Sequence, residues 1–166
     1  MKRLTLLRHA KSSWDDSSLA DHDRPLSARG QTDAPRIGRH LAQSGIKPGL
    51  ALISSARRAQ QTAALIAPCL TGSALELRTE PRLYLATPGE LLQILAEQSD
   101  DYDELLVVGH NPGLTQLVNM MLPALGLTNL PTAGAVRIDC DTPRWSAITA
   151  GRFALRSSCS PKTLPS

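Results

Sequence analysis

Aromatic side chains are almost missing from this chain: two Trp, two Tyr and one Phe, 3% of 166 residues. The core must therefore be filled by Leu, Ala, Ile and Val. Charge of one sign is also lacking. Eighteen Lys and Arg stand against 15 Asp and Glu, and the resulting +3 is spread along the chain without a basic block interleaved with aromatics, which argues against a nucleic-acid partner. No stretch reaches the roughly 18 uninterrupted apolar residues of a membrane span. The start Met1-Lys2-Arg3-Leu4 runs into a strand pattern without a signal-type cleavage site, so no membrane partner and a cytoplasmic location are expected. The three cysteines, Cys69, Cys140 and Cys159, are odd in number and widely spaced, which fits neither a disulfide framework nor a zinc site. What remains, 42% hydrophobic and 20% charged residues, is the composition of one globular domain. That domain is expected over residues 1–151, and residues 152–166, where Ser, Pro and Lys accumulate, are expected to be a flexible tail.

Apolar runs alternate with helical patterns along the domain. Leu4 to Leu7 reads as a buried strand that ends in Arg8-His9, and residues 10 to 27 are polar and proline-punctuated, a long loop. A helix is expected from about Thr32 to Gln43, with Pro35 in its first turn or at a kink. Leu50 to Ile53 is a second strand, followed by Ser54-Ser55 and a helix from about Arg57 to Cys69. Further strands are expected at Leu75 to Leu77 and Leu105 to Val108, and helices at Pro88 to Gln98 and Leu114 to Met121. Ala133 to Asp139 and Trp145 to Thr149 read as a closing hairpin. Such alternation predicts an α/β three-layer sandwich with a central, mainly parallel mixed sheet.

Ligands of these sheets sit beyond the carboxyl ends of the strands. Three of the predicted strands run directly into unusual polar groups: Arg8-His9, Ser54-Ser55 leading to Arg57-Arg58, and His110-Asn111. Gathered at one edge, two or three guanidiniums and two imidazoles suit a phosphoryl dianion. Arg pairs bidentately with phosphate oxygens, and an imidazole can attack phosphorus and carry the group covalently. The spacing alone leaves both His9 and His110 open as the nucleophile.

Competing chemistries are poorly supported. There is no Gly-x-x-x-x-Gly-Lys-Ser/Thr loop and no Cys followed by Arg six positions on. Asp139-Cys140-Asp141 reads as a turn. Asp21-His22-Asp23 is the densest cluster of metal-ligand types and reads as a solvated loop, so neither metal nor cofactor is expected.

Leu6-Leu7-Arg8-His9-Ala10-Lys11-Ser12-Ser13-Trp14, Asp23-Arg24-Pro25-Leu26-Ser27 with Gly30, Arg58-Ala59-Gln60-Gln61-Thr62 and Gly109-His110-Asn111-Pro112-Gly113 together resemble the histidine phosphatase (phosphoglycerate mutase-like) superfamily. Within it they resemble the small SixA-type phosphohistidine phosphatase branch. The resemblance extends from residue 4 to about 150. It implies His9 as the nucleophile, Arg8, Arg58 and His110 as phosphoryl-binding groups, a covalent phosphohistidine intermediate and hydrolysis without metal. Ser54-Ser55 stands where the family usually has Ser-Pro, so Arg58 is preferred to Arg57 on the strength of Ala59 and Thr62. Lys11, Ser12 and Arg24 are expected as substrate-binding or supporting residues.

Larger superfamily members also carry a carboxylic acid that protonates the leaving oxygen. Candidates here are Tyr84, Glu80 and Glu90. An alkoxide needs that proton, whereas an imidazole leaves from phosphohistidine with a conjugate acid of pKa about 6.5. A chain without the acid therefore favours protein phosphohistidine. The alternatives are a phosphomonoesterase acting on a small phosphorylated metabolite and a phosphoprotein-binding module without turnover.

Overall fold

The computed structural model describes residues 1–70 and 74–165. Strands and helices alternate as β1 (Lys2–Arg8), α1 (Ala28–Gln43), β2 (Leu50–Ile53), α2 (Arg57–Ile66), β3 (Glu76–Thr79), α3 (Pro88–Ala96), β4 (Glu104–Gly109), α4 (Gly113–Met121), β5 (Ala135–Asp141) and β6 (Arg152–Cys159). They build one six-stranded sheet in the order β3-β2-β4-β1-β5-β6. The first four strands of that order are mutually parallel, β5 runs antiparallel to β1, and β6 runs antiparallel to β5.

The sheet is mixed and covered on both faces. Leu4 and Leu6 of β1 and Leu105 and Val107 of β4 pack towards α3 and α4, against Leu91, Leu95, Leu114 and Leu117. The alternate residues Leu7, Leu106 and Val108 pack towards α1 and α2, against Ile37, Leu41 and Ile66. Burial on both faces explains why β4 is apolar almost throughout instead of alternating. Among the described residues no helix is long and apolar enough to cross a membrane.

Several boundaries differ from the sequence reading. The first helix begins at Ala28, because Ser27 caps it by accepting a hydrogen bond from Gly30 N at 3.1 Å. Pro35 lies well inside that helix. The third strand falls at Glu76–Thr79 and is exposed, as an edge strand can be.

The closing hairpin and the flexible tail both need correction. Trp145–Ala150 is a 3-10 turn, with the Trp145 ring fully buried and its Nε1 donating to Tyr102 O at 2.7 Å. The strand that pairs with β5 is β6, which lies within the segment read as a tail. Beyond it, Pro161 is buried and Arg36 Nη2 donates to Pro161 O at 3.4 Å. An edge strand exposes most of its side chains and needs no apolar alternation, so its composition resembles that of a tail.

Candidate active site

The site is set by the register of three parallel strands. Arg8 of β1 lies opposite Gly109 of β4, and Ile53 of β2 lies opposite Val108. The ladder runs one residue further on each side: His9 N donates to Gly109 O and Ser54 N to Val108 O, each at 3.1 Å. The residues that follow the strands are thus forced together. The rings of His9 and His110 lie 5.1 Å apart, and His110 Nε2 shares a 2.7 Å hydrogen bond with Ser54 Oγ. Arg8 Nη1 donates to Leu130 O at 3.1 Å, the same carbonyl that receives Asn111 Nδ2 at 2.8 Å. Gly113 permits the turn after β4, since a Cβ there would stand 2.0 Å from Ala86 O.

Helix α2 supplies Arg58 and also fastens the loop after β1. Arg58 is buried and Arg57 exposed. One turn on, the fully buried Thr62 Oγ1 accepts from Ala10 N at 3.0 Å and donates to Arg58 O at 2.7 Å. Gln61 Oε1 accepts from Leu26 N at 2.7 Å, and Gln60 Nε2 donates to Ser54 O at 2.8 Å. The run Arg58-Ala59-Gln60-Gln61-Thr62 is therefore a set of ties between the helix and two strand-end loops. Gly30 completes the seat, because a Cβ there would meet Lys11 O at 2.2 Å.

The protonation state of His9 leaves a nitrogen lone pair facing the pocket. Its Nδ1–H donates to Ala10 O at 2.7 Å, which leaves the lone pair on Nε2. Arg58 Nε donates to that atom at 3.3 Å. Burial foremost, with the charges of Arg58, Arg8 and Arg24, depresses the His9 pKa to about 4 against the opposing pull of the Ala10 carbonyl. His110 is driven to about 3, by burial first and then by His9 and Arg58. Both imidazoles are neutral at pH 7.

The surrounding pocket, about 320 Å³, is lined by all seven residues singled out in the sequence: Arg8, His9, Lys11, Ser12, Arg24, Arg58 and His110. Arg24 stacks on Trp14 with 3.3 Å between its Cζ and the ring centroid, and donates to Ser12 Oγ, Ser13 O and Asp21 Oδ1. Its donors hold the loop in shape, and its charge acts on the pocket from there.

One charged residue of the pocket was missed. Asp21, read from sequence as part of a solvated loop, turns its carboxylate into the site, where it accepts from Arg58 Nη2 at 3.0 Å, Arg24 Nη1 at 2.9 Å and Tyr84 OH at 2.5 Å. The signal was its spacing of three from Arg24, which lets the two pair. The Tyr84 hydroxyl bond, more than any other contact, pulls the Asp21 pKa down to about 2, so this carboxylate is ionised at neutral pH. Of the candidate acids, Glu80 is occupied by Arg82, and Glu90 accepts from Thr87 Oγ1 at 3.0 Å; neither lines the pocket. Tyr84 stands edge-on to the His110 ring with 5.4 Å between centroids, its pKa raised mainly by burial and by the bond to Asp21.

The histidine phosphatase superfamily (branch 1) model matches residues 4–91. The chain belongs to this superfamily. A SixA structure from Agrobacterium tumefaciens, given as a candidate phosphohistidine phosphatase, superposes with a TM-score of 0.82 at 27% identity, covering 96% of this chain and 98% of that one. Among curated sequences, an uncharacterised protein of Picosynechococcus is 31% identical over 166 residues, 93% of this chain and 95% of its own length. An uncharacterised chloroplastic protein of Arabidopsis thaliana is 36% identical over 128 residues, or 72% of this chain, which spans 59% of that protein. The residues that carried the resemblance fall on the strand ends just described: Arg8 ends β1 and His9 follows it, Arg58 lies in the first turn of α2, and His110 follows β4.

Proposed function

We propose that this protein hydrolyses phosphohistidine carried on another protein, through a phosphoryl intermediate on His9. The observation that carries the reading is the protonation inventory of the pocket: a neutral imidazole with its lone pair on Nε2 stands among guanidiniums, and among the described residues that line the pocket no carboxylic acid holds a proton. A superfamily site without an acid favours a leaving group that departs without one, and imidazole is such a group.

The His9 Nε2 lone pair attacks phosphorus as the bond to the substrate nitrogen breaks. Water then attacks the phosphorus on His9, and inorganic phosphate leaves as Nε2 regains its lone pair. Arg8 and Arg58 neutralise the equatorial oxygens in both steps. Each donor fixed in this way is worth about 10²- to 10³-fold in rate. A bound dianion also opposes the depression of the His110 pKa, so that His110 can donate to the phosphoryl group. Lys11, Ser12 and Arg24 hold the near wall of the pocket. The mouth carries the exposed apolar side chains of Trp14 and Leu85, which suit a phosphoryl group presented on a protein surface.

The test is phosphate release, in excess EDTA, from a phosphohistidine-bearing carrier protein and from a simple phosphate monoester, comparing wild type with His9→Ala. The reading expects turnover of the carrier that His9→Ala abolishes. Equal or faster turnover of the ester overturns it in favour of a metabolite phosphatase, with Tyr84 as the group to supply the proton. Binding of phosphate without labelling of His9 leaves a non-catalytic module.

A further inference from the structure

A phosphohistidine ring is a good leaving group in only one of its two protonation states. With a proton on the nitrogen that does not carry phosphorus, the ring departs as neutral imidazole. Without that proton it must depart as an imidazolate anion. A free imidazole titrates near pKa ~6.5, so above neutrality the reactive form is scarce unless the site stabilises it. A carboxylate within hydrogen-bonding reach of a cation raises its pKa by about 1 to 3 units.

Among the described residues that line the pocket, Asp21 is the one carboxylate. Its two oxygens offer about four acceptor positions. Arg58 and Tyr84 fill the two on Oδ2, and Arg24 fills one on Oδ1. The fourth has no partner among the described residues, on a side chain that is 48% exposed. The guanidinium that binds Oδ2 through Nη2 also lies against the nucleophile through Nε, so a single planar group spans from His9 Nε2 to Asp21.

We propose that Asp21 sets the preference for phosphohistidine by accepting a hydrogen bond, on the free position of Oδ1, from the unphosphorylated ring nitrogen of the substrate, thereby holding the leaving ring protonated. The inference rests on the phosphohistidine reading above and names the residue behind it. In the step itself His9 Nε2 bonds to phosphorus, the P–N bond breaks with its electron pair going to the substrate nitrogen, and the ring leaves as neutral imidazole with its proton still on the other nitrogen. Asp21 gives up no proton and remains an anion. For an ester the same carboxylate has no proton to give, and its charge opposes the departing alkoxide.

The groups that face Asp21 are the Arg24 guanidinium of its own loop, the Arg58 guanidinium of α2 and the Tyr84 hydroxyl after β3; His22, next along the loop, stands edge-on to the Tyr84 ring at 4.8 Å, and the His9 and His110 rings adjoin Arg58 and Tyr84. A protein group that titrates acts on every substrate alike, so a limb seen with a phosphohistidine and not with a substrate that has no ring belongs to the leaving ring.

Wild type and Asp21→Asn are compared on a phosphohistidine peptide and on acetyl phosphate, whose leaving acetate needs no proton, with kcat followed from pH 6 to 9. The alkaline limb of kcat reports the ring in the bound complex. For the peptide it moves down by at least one pH unit in Asp21→Asn, so that kcat falls about tenfold more at pH 8.5 than at pH 6. Acetyl phosphate turnover, which shares any displacement of Arg58 or Arg24, changes by the same factor at pH 6 and at pH 8.5, and circular dichroism reports that the variant is folded. Asp21→Glu keeps the alkaline limb. An unmoved limb, or an equal loss on both substrates, overturns the proposal and leaves Asp21 as a prop for Arg58 and Arg24. A wild-type enzyme that consumes acetyl phosphate and leaves the peptide untouched refutes the phosphohistidine reading, and this inference with it.

Discussion

Replacing Thr62 by Val tests whether the ties from α2 hold His9, the proposed nucleophile. The two side chains have similar shape, so the change removes a hydroxyl without opening a large cavity. That hydroxyl receives Ala10 N and donates to Arg58 O, and Thr62 and Ala10 are both fully buried. Val leaves the Ala10 N–H without a partner and without access to water, at a cost of about 1 to 3 kcal/mol. For a chain of this size each kcal/mol lowers Tm by about 2 to 4 °C, so a fall of roughly 2 to 12 °C is expected by circular dichroism. The same residue carries, on its next peptide unit, the Ala10 carbonyl that fixes His9 Nδ1–H. Its loosening misdirects the His9 lone pair, and small misplacements of a reacting group cost up to about 10²-fold. Single-turnover phosphorylation of His9 by acetyl phosphate should slow by about 10- to 100-fold in Thr62→Val and by less than threefold in Thr62→Ser, which keeps the hydroxyl. A Tm within 1 °C of wild type together with an unchanged rate would refute the reasoning.

Two further outcomes follow from the site's electrostatics and from the split between adjacent arginines. In NMR spectra of histidine-labelled protein, His9 and His110 should titrate near pH 4 and pH 3, and a midpoint above 6 for either contradicts the burial argument. Because both folded values lie below the unfolded value of about 6.5, the unfolded chain binds more protons between those limits, so Tm should fall as pH drops below ~6.5 and the two sites should contribute full stability above it. Arg58→Ala should slow phosphorylation of His9 by about 10²- to 10³-fold. Exposed Arg57→Ala should stay within twofold, and a comparable loss in both variants would mean that the second guanidinium of the pocket was misassigned.

The sequence by itself determined the alternation of strands and helices, the apolar strands β1, β2 and β4, and the polar groups at their ends, because both are local patterns. A strand buried on both faces must be apolar, and a site at a strand end must follow it directly in the chain. That Arg58 and not Arg57 lines the pocket was legible through Ala59 and Thr62, and Thr62 is the residue that ties the helix to Ala10. Only the tertiary structure decided the remainder. β6 has no signature of its own, since an edge strand is specified by the open edge of β5 more than by its own side chains. The role of Asp21 was hidden for a similar reason. An acidic residue in a polar loop looks solvated until the fold brings Arg58 from α2 and Tyr84 from beyond β3 to its carboxylate, 37 and 63 residues along the chain. The same separation hid the protonation states of His9 and His110, which follow from burial and from charges that become neighbours only when three strand ends align.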